Sequence, residues 1–369
     1  MTAKAAELLR TPLYDLHLKL GGKMVAFAGF ELPVQYPAGI LAEHRHTRSK
    51  ASLFDVSHLG QVIVRGDDPA RALERLVPGD LVHLGEGRMR YTFFTNAAAG
   101  ILDDLMIVNR GKDWLVIINA GPRLADLEHL RTHLGADKLT YREDRALIAL
   151  QGPAAAAVLA RYAKDCAKMP YLSSATFSIA GAEAFVMRSG YTGEDGFEIS
   201  LPPEKAEAVA EALLAEPEVA PAGLGARDSL RLEAGLCLYG HDLNPETTVV
   251  EAGLIWAVSK RRRAEGGYPG ADIVKRELAE GLARRRVGLL PEGRAPVREG
   301  AEILSPDGRR IGAITSGGFG PTVEGPVAMG YVETPFAAEG TEVQTLLRGR
   351  PVAARVVKLP FVATRYYKG

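Results

Sequence analysis

Two adjacent carboxylates interrupt an apolar segment, ILDDLMIV, at residues 101–108. Successive side chains of a β-strand point to opposite faces, so Asp103 and Asp104 are expected on different faces, each among apolar neighbours. A carboxylate on an apolar face either meets a hydrogen-bond donor or has its pKa raised by desolvation. That environment is typical of a functional acid or base. A strand that starts at a turn, with one Asp solvated and the other bonded to backbone N–H groups, explains the same pattern without any function.

A third carboxylate follows a glycine-rich turn. The segment GYTGEDGFEIS, residues 190–200, has the glycines and the Glu-Asp-Gly tip expected of a tight β-hairpin. In the strand that follows, Phe197 and Ile199 share a face and Glu198 lies opposite. An isolated Glu in such a strand is ordinarily solvated. The functional alternative is a carboxylate that accepts two N–H groups from the edge of a heterocycle.

Two arginines are expected on one face of a helix. The segment GLGARDSLRLEAGLCLYG, residues 223–240, predicts a helix that ends at Gly235, with Arg227 and Arg231 one turn apart. A surface helix with ion pairs explains both arginines. The GLG triplet lacks the third glycine and the clear preceding strand of a dinucleotide-binding fingerprint. Asn119 lies between a strand and a helix, where Asn commonly caps the local backbone.

The other reactive residue types indicate structural roles. His44, His46 and His58 are not at metal-ligand spacing on one helix face, and the chain has no CxxC or HExxH motif, so no metal site is expected. Cys166 and Cys237 are predicted to be reduced thiols in the core.

Two basic runs and one glycine-rich run remain. KRRR at 260–263 and RRR at 284–286 are expected to form solvated faces, or one local patch that attracts anions. SGGFGP at 316–321 lacks the Lys-Ser/Thr of a phosphate-binding loop and is expected to form a hairpin.

Composition excludes several classes of protein. The chain has 369 residues, with 45 Lys and Arg against 45 Asp and Glu, and a net charge of zero argues against a general nucleic-acid binder. A hydrophobic content of 47% is typical of a soluble globular protein of two or three domains. No apolar run is long enough to span a membrane.

The N-terminal segment MTAKAAELLR has no apolar core, so neither a secretory signal nor a transit peptide is expected, and we predict a cytoplasmic protein.

The elements that must position these residues follow a simple order. Two successive units of strands followed by a helix predict two α+β layers. The expected helices cover residues 40–50, 68–76, 121–135, 153–163 and 204–215. The expected strands of the first unit cover residues 61–65, 88–95, 101–109 and 114–119, and the second unit runs from 146 to 201.

The composition changes near residue 284. From there the chain consists of short β-rich pieces separated by Gly, Pro and Asp-Gly turns, which predicts a small barrel or sandwich. We therefore expect a domain boundary between residues 283 and 284.

Seven motifs, in order from Thr11 to Tyr367, together resemble the T-protein family of the glycine cleavage system, the aminomethyltransferases. No single motif is specific, but the ordered set is. The motifs are TPLYDLHLKLGGKMVAFAGFELPVQY, SLFDVSHLGQ, GILDDLMI, ALQGP, GYTGEDGFEIS, ARDSLRLEAGLCLYG and LPFVATRYY.

The resemblance implies an α+β fold of three domains in a cloverleaf around a central folate channel. Residues 1–283 would be the folate-binding region, with two α+β subdomains, and residues 284–369 the C-terminal β-barrel. The implied reaction moves an aminomethyl group from the lipoyl arm of a partner, the H-protein, to tetrahydrofolate. It releases ammonia and forms 5,10-methylene-tetrahydrofolate. No metal, nucleic acid or membrane is implied.

The resemblance also implies roles for particular residues. Asp104, the second Asp of LDDL, would accept a proton and stabilise the developing cation, which leaves Asp103 structural. Glu198 would accept the N–H groups of the pterin, and Arg227 and Tyr366 would contact the folate. The other implied channel residues are Asn119, Tyr191 and Trp256.

Two positions depart from the family pattern. Ala99 precedes Gly100 where the family often has two glycines, and Leu59 stands where many members have Met. Both changes are small and apolar. They alter packing around the pterin and leave the carboxylate in place.

Three other functions remain open at this point. They are a folate-dependent demethylase of a free small substrate, a non-catalytic folate-binding assembly factor, and a hydrolase with two carboxylates. The hydrolase needs facing carboxyls about 5–9.5 Å apart, which the opposite faces of Asp103 and Asp104 disfavour. If the reaction uses a protein carrier, the arginines at 261–263 are a candidate docking surface for the H-protein.

Overall fold

The protein is described here by a computed structural model that covers residues 7–369. Residues 1–6 lie outside the described part. They include the start of the expected region 1–283 and most of the N-terminal segment on which the prediction of no transit peptide was based. Within residues 7–369, no helix is both long enough and apolar enough to cross a membrane.

Most helices begin and end where the local sequence predicts. Asp68, for example, accepts the Arg71 N–H at 3.1 Å through its side chain, and Pro69 occupies the first turn. The α-helices are α1 (Tyr14–Lys19), α2 (Ile40–Ser49), α3 (Pro69–Glu74), α4 (Arg123–Leu134), α5 (Ala155–Leu159), α6 (Pro203–Leu214), α7 (Leu224–Glu233), α8 (Lys260–Glu265) and α9 (Ala271–Glu280). Short 3-10 turns cover Ala136–Lys138, Lys164–Lys168, Ile255–Ala257 and Thr334–Phe336.

One helix is much shorter than expected. The prediction of a helix over 153–163 is wrong beyond α5, which ends at Leu159. Val158 and Leu159 are buried against the second sheet, and after Leu159 the chain continues as hydrogen-bonded turns until Ala163, where the backbone leaves helical geometry. Tertiary packing, rather than the high helix propensity of alanine, therefore sets the length of this helix.

The strands form three sheets and a barrel. They are β1 (Leu9–Arg10), β2 (Lys23–Phe27), β3 (Phe30–Gln35), β4 (Ala51–Asp55), β5 (Gly60–Val64), β6 (Met89–Thr95), β7 (Ile101–Asn109), β8 (Trp114–Ile118), β9 (Leu139–Tyr141), β10 (Ala146–Gln151), β11 (Ser174–Ile179), β12 (Ala182–Met187), β13 (Gly196–Leu201), β14 (Val219–Pro221), β15 (Arg284–Pro291), β16 (Glu302–Leu304), β17 (Arg310–Gly320), β18 (Gly325–Glu333), β19 (Glu342–Leu347) and β20 (Arg350–Val357).

Two α+β layers form the first part of the molecule. The first is a five-stranded sheet in the order β6-β7-β8-β5-β9, with α3 and α4 packed on one face. The second is a six-stranded sheet in the order β11-β12-β13-β10-β4-β14, covered by α5 and α6. The other faces of the two sheets meet through a shared apolar core that includes Ile117, Ala149 and Leu230. A small sheet, β1-β3-β2, lies beside them.

The last part is a closed barrel in the order β15-β18-β17-β16-β19-β20, around a core that includes Leu289, Ile303 and Val356. The expected fold class, α+β with a C-terminal β-barrel, is confirmed. The first barrel strand begins at Arg284, while the division of the whole chain at 283/284 stays a prediction. The run at 316–321 was expected to be a hairpin, but it is mainly the end of β17, and the turn follows at 321–324.

The glycine-rich segment at 190–200 is not a tight hairpin, because its first part belongs to a wide loop and only its second part is strand β13. It joins β12 to β13 through residues 188–195. Arg188 closes the base of the loop on Asp195, with Nε to Oδ1 at 3.0 Å. Arg48 holds the Thr192 carbonyl oxygen at 2.7 Å. These contacts open the turn and bring its residues toward the centre of the molecule.

The basic run at 260–263 is largely not a solvated face. Arg261 pairs with Asp80 at 2.8 Å and with Glu74, while Arg262 is buried and donates to the Val77 carbonyl at 3.3 Å. Arg263 donates to the Ile255 carbonyl at 2.7 Å. The guanidinium groups of Arg261 and Arg262 thus fasten α8 to the first layer. The hypothesis that they dock a carrier protein is therefore withdrawn.

We expect Arg262→Met to lower the free energy of unfolding by about 2 kcal/mol, because buried carbonyl groups lose a charged donor. Urea unfolding checks this, with exposed Lys260→Met as the matched control. An Arg262→Met protein with unchanged stability and a raised KM for the carrier would restore the docking hypothesis.

Candidate active site

A cavity of about 1810 Å³ lies at the centre of the molecule, lined by both layers and by the barrel. It brings together every residue expected at a site, although they are far apart in sequence. These residues are Asp104, Asn119, Tyr191, Glu198, Arg227, Trp256 and Tyr366.

The two adjacent Asp residues of β7 lie in different surroundings: Asp104 faces the cavity and Asp103 is in the core. Along this strand Ile101, Asp103 and Leu105 are buried, whereas Leu102 and Asp104 are only half-buried. Asp104 lines the cavity, while Asp103 has 0% of its surface exposed. The predicted divergence of the two carboxylates is confirmed, and only one of them faces the cavity.

Asp104 is held by two donors. Tyr91 Oη donates to Oδ2 at 2.8 Å, and Asn119 Nδ2 donates to Oδ1 at 2.9 Å. Burial, followed by the negative charge of Asp103, raises the pKa of Asp104 to about 7, against the opposing effect of the two hydrogen bonds. Near neutral pH this carboxyl exists in both protonation states, as a group that accepts and returns a proton must.

Asn119 was expected to cap the local backbone, but its side chain bonds the two Asp residues of β7 instead. Its carboxamide nitrogen also donates to Asp103 Oδ1 at 2.8 Å, and its backbone N–H donates to Asp103 Oδ2 at 3.1 Å. Asn119 thus ties the two adjacent carboxylates to each other from the end of β8.

Sequence reasoning missed Tyr91. Its ring stacks on Trp256 with centroids 5.6 Å apart, and burial with the Asp104 charge raises its pKa well above its ordinary value. The phenol therefore stays a donor. The register of β6 and β7 was the available signal, because Phe93 lies opposite Asp104 and Tyr91 is two residues away on the same face.

The other end of the cavity holds a carboxylate and a guanidinium. Glu198, 9% exposed on β13, accepts the Ser189 hydroxyl at 2.6 Å. Arg227 on α7 lies over the Tyr191 ring at 4.8 Å, and its Nη1 has no hydrogen-bond partner among residues 7–369. A carboxylate and a guanidinium group therefore lie together at this end of the cavity.

The arginines of α7 were expected on a surface helix, but both line the central cavity. Arg231 is buried and bonds Asp242 and Ser316, both at 3.0 Å. The run at 284–286 was also expected to be solvated, but Arg286 lines the cavity and donates to the Ala252 carbonyl at 2.8 Å. Interior acceptors, which no local pattern shows, determine these positions.

Aromatic rings line the remaining walls. Tyr366 stacks on Tyr171 with centroids 4.2 Å apart, because the chain after the barrel returns across the second layer. Tyr191 donates to the Cys237 carbonyl. Trp256 has 63% of its surface exposed, so it lies where the cavity meets solvent.

Of the three histidines considered as metal ligands, His44 and His58 are buried, and His58 lines the cavity. His44 bonds Ser229 at 2.7 Å and Glu233 at 3.0 Å, as a structural residue does. His46 reaches the Glu218 carbonyl at 3.0 Å. His58, in contrast, lines the cavity, where burial and the Arg227 charge lower its pKa to about 4, so it is neutral.

Both cysteines are free and buried, as predicted. Cys237 lines the cavity, and burial raises its pKa to about 12, which keeps the thiol protonated. Among residues 7–369, no three His, Cys, Asp or Glu side chains are grouped so that they could hold a metal ion.

Two families of known proteins match the chain. The GCVT N-terminal domain family matches residues 13–262, and the glycine cleavage T-protein C-terminal barrel domain family matches residues 284–363. The mitochondrial aminomethyltransferase of Dictyostelium discoideum is 46% identical, over 98% of this chain and 94% of its own length. The human mitochondrial enzyme is also 46% identical, over 98% of this chain and 91% of its own.

A solved structure matches over nearly the whole chain. The glycine cleavage system aminomethyltransferase T from Bartonella henselae has a TM-score of 0.93 and 46% identity, and the match covers 98% of this chain and 100% of that one.

The prediction of a cytoplasmic protein is contradicted by these comparisons. The curated relatives from Dictyostelium discoideum, Flaveria trinervia and Homo sapiens are all named as mitochondrial. The prediction used the absence of an N-terminal targeting pattern, and such a pattern is a separate segment that does not take part in the fold.

Proposed function

Because this chain belongs to the glycine cleavage T-protein family and is an aminomethyltransferase of the glycine cleavage system, we propose that tetrahydrofolate is its acceptor and that the H-protein carries its donor group. One observation supports this proposal most. A single cavity has a carboxyl of shifted acidity, Asp104, on one layer, and a carboxylate with a guanidinium, Glu198 and Arg227, on the other.

The proposed reaction forms two carbon–nitrogen bonds. The carbon–sulfur bond of the aminomethyl group on the lipoyl arm breaks, and the one-carbon unit becomes iminium-like. Two folate nitrogens bond to its carbon as ammonia leaves. The protons of the two N–H groups end on the sulfur and on the departing amine, so atoms and charges balance.

Asp104 is proposed to move protons in this sequence. Its ionised form accepts a proton from the attacking nitrogen and stabilises the cationic carbon, and its protonated form returns the proton to a leaving group. A pKa of about 7 supports both halves of this role. Tyr91 and Asn119 fix the direction of the carboxyl through one hydrogen bond to each oxygen.

Glu198 is proposed to accept the adjacent N–H donors of the pterin. Ser189 already bonds Oε2, which orients the carboxylate and leaves Oε1 available. Arg227 is proposed to contact the folate, because its side chain lines the cavity beside Tyr191. Tyr366, Tyr191 and Trp256 are proposed to line the channel beside the rings of the folate.

The proposal also divides the chain into a folate-binding region, residues 1–283, and a barrel, residues 284–369. The closed barrel and the position of its first strand support this division.

The test is ammonia release by the purified protein from aminomethyl-lipoyl H-protein, with and without tetrahydrofolate. We expect release that depends on folate. The same assay with a free methylamine donor and no H-protein is the matched control. Turnover of the free donor alone would support a demethylase, and folate binding without any turnover would support an assembly factor.

We expect Tyr91→Phe to move the acid limb of the kcat profile to higher pH by about half a unit to one unit. A hydrogen bond to the ionised carboxyl lowers its pKa, so its loss raises the pKa of Asp104 above 7. The Phe ring keeps the stack on Trp256, so the Kd for folate should stay within a few-fold. An unchanged profile would show that this hydrogen bond does not act on the reacting group.

A further inference from the structure

A third carboxyl lies behind the reacting one. Asp126 on α4 is 3% exposed, and its carboxyl lies within hydrogen-bonding reach of the buried carboxyl of Asp103, the residue before Asp104 on β7. The Oδ2 atom of Asp126 is buried and has no hydrogen-bond partner among residues 7–369. No sequence motif assigns a role to Asp126, and the proposed reaction does not use it.

This group of carboxyls has no neutralising cation among residues 7–369. In the part of the chain that the structure describes, neither Asp103, Asp104 nor Asp126 forms an ion pair with Lys, Arg or His. Three adjacent ionised carboxylates without a counter-ion would be very costly in the protein interior. Two carboxyls can share a hydrogen bond only if one of them carries a proton.

The donors around the pair decide which one carries it. Asp103 accepts two hydrogen bonds from Asn119, at 2.8 and 3.1 Å, which stabilise its ionised form. Asp126 has no such donors. Burial, followed by the negative charge of Asp103, raises the pKa of Asp126 to about 10, in agreement with a proton on Asp126.

We propose that Asp126 is a positioning residue for Asp104: it stays protonated, donates to Asp103, and thereby keeps Asp103 ionised and aligned to hold the Asn119 carboxamide against Asp104. The row Asp126–Asp103–Asn119–Asp104 then sets both the direction and the acidity of the reacting carboxyl. This inference rests on the proposed role of Asp104.

Four other titratable side chains face this row, and none of them is substituted in the Asp126 variants. Tyr91, Tyr191 and Cys237 face Asp104, and Tyr239 faces all three carboxyls. Burial raises the pKa of each of the four, so they are neutral near pH 7 and do not compete for the proton.

Two variants separate the proposed role from a structural one. Asp126→Asn keeps a neutral donor to Asp103, so we expect kcat within about threefold of wild type and an unchanged pH midpoint. Asp126→Leu keeps the branching at Cγ but has no donor, so Asp103 takes up a proton itself. Asp104 then loses the neighbouring charge, which acts on its pKa more strongly than the Asn119 bond does.

For Asp126→Leu we therefore expect the midpoint of the kcat profile to fall by about one pH unit, with about a tenfold lower plateau. A merely structural role would lower the thermal stability of this variant and leave its pH midpoint at the wild-type value. That result, or an Asp126→Asn midpoint that moves as far as that of Asp126→Leu, would overturn the proposal.

A measurement on the wild type avoids any folding defect. Carbon-13 NMR of labelled Asp carboxyls should show Asp126 protonated throughout the range from pH 5 to 8, while Asp104 titrates within it. Titration of Asp126 below pH 7 would overturn the proposal even if ammonia release still depends on Asp104. Loss of the proposed function would instead appear as full turnover by Asp104→Asn, whatever the state of Asp126.

Discussion

Replacing Asp104 by Asn is expected to lower kcat for ammonia release by about 10²–10⁴-fold while the Kd for tetrahydrofolate stays within a few-fold. Asn occupies nearly the same volume and its one carboxamide oxygen can still accept the Asn119 hydrogen bond, but it cannot accept a proton at neutral pH. The measurement is single-turnover ammonia release at saturating folate, with folate affinity from titration calorimetry. A near-normal kcat would remove Asp104 from the mechanism.

The pH dependence of the wild-type enzyme tests the same role. With the pKa of Asp104 at about 7, the ionised form that accepts a proton is lost as the pH falls below 7. We expect kcat to rise through a midpoint near pH 7 and to reach a plateau by about pH 8.5. A midpoint near pH 4, the ordinary value for Asp, would show that burial does not act on the group that limits the rate.

Stability provides an internal control for the Asp104→Asn variant. A carboxyl whose pKa is higher in the folded state than in the unfolded state destabilises the fold increasingly as the pH rises from about 4 to about 7. Removing the charge should therefore stabilise the variant at pH 8, on the order of 1 kcal/mol, and much less at pH 4.5. A variant that is inactive but more stable at pH 8 has lost a functional group and not its fold.

The second large effect is expected for Glu198→Ala, which should weaken tetrahydrofolate binding by about 2–3 kcal/mol, or roughly 30- to 150-fold in Kd. The buried N–H donors of the pterin and the Ser189 hydroxyl would both lose their acceptor. The kcat at saturating folate should stay within a few-fold, because Glu198 binds the ligand away from the reacting carbon.

Ser189→Ala is the matched control for Glu198. It removes the group that orients the carboxylate but leaves the acceptor for the pterin, so we expect a smaller loss, about 1 kcal/mol. Calorimetric titration of both variants measures the two effects. An unchanged Kd for Glu198→Ala would show that Glu198 does not bind the folate.

Local sequence patterns predicted much of the fold. The helices at 123–134 and 203–214 and the strands at 101–109 and 114–118 lie where capping residues, Gly and Pro signals and alternating apolar residues placed them. These features depend on neighbours a few residues away. The resemblance to one family placed the candidate site residues, and all seven line one cavity.

Other features depended on partners that are distant in sequence. β4 precedes the first sheet in the chain, yet it pairs with β10 and β14 in the second sheet. Arg262 has the charge of a surface residue, but it finds a carbonyl acceptor 188 residues earlier, at Glu74. Such pairings depend on which apolar faces are buried together, and no local pattern records that.

The sequence by itself determined that Asp103 and Asp104 diverge, because the two-residue period of a strand is a property of the backbone alone. Only the tertiary structure decided which of them faces the cavity. The packing of α4 placed Asp126 near Asp103 in the core, and the meeting of the two α+β layers with the barrel left Asp104 facing the cavity. The acidity of a carboxyl depends on burial and on neighbouring charges, and both are set by residues that fold next to it from elsewhere in the chain.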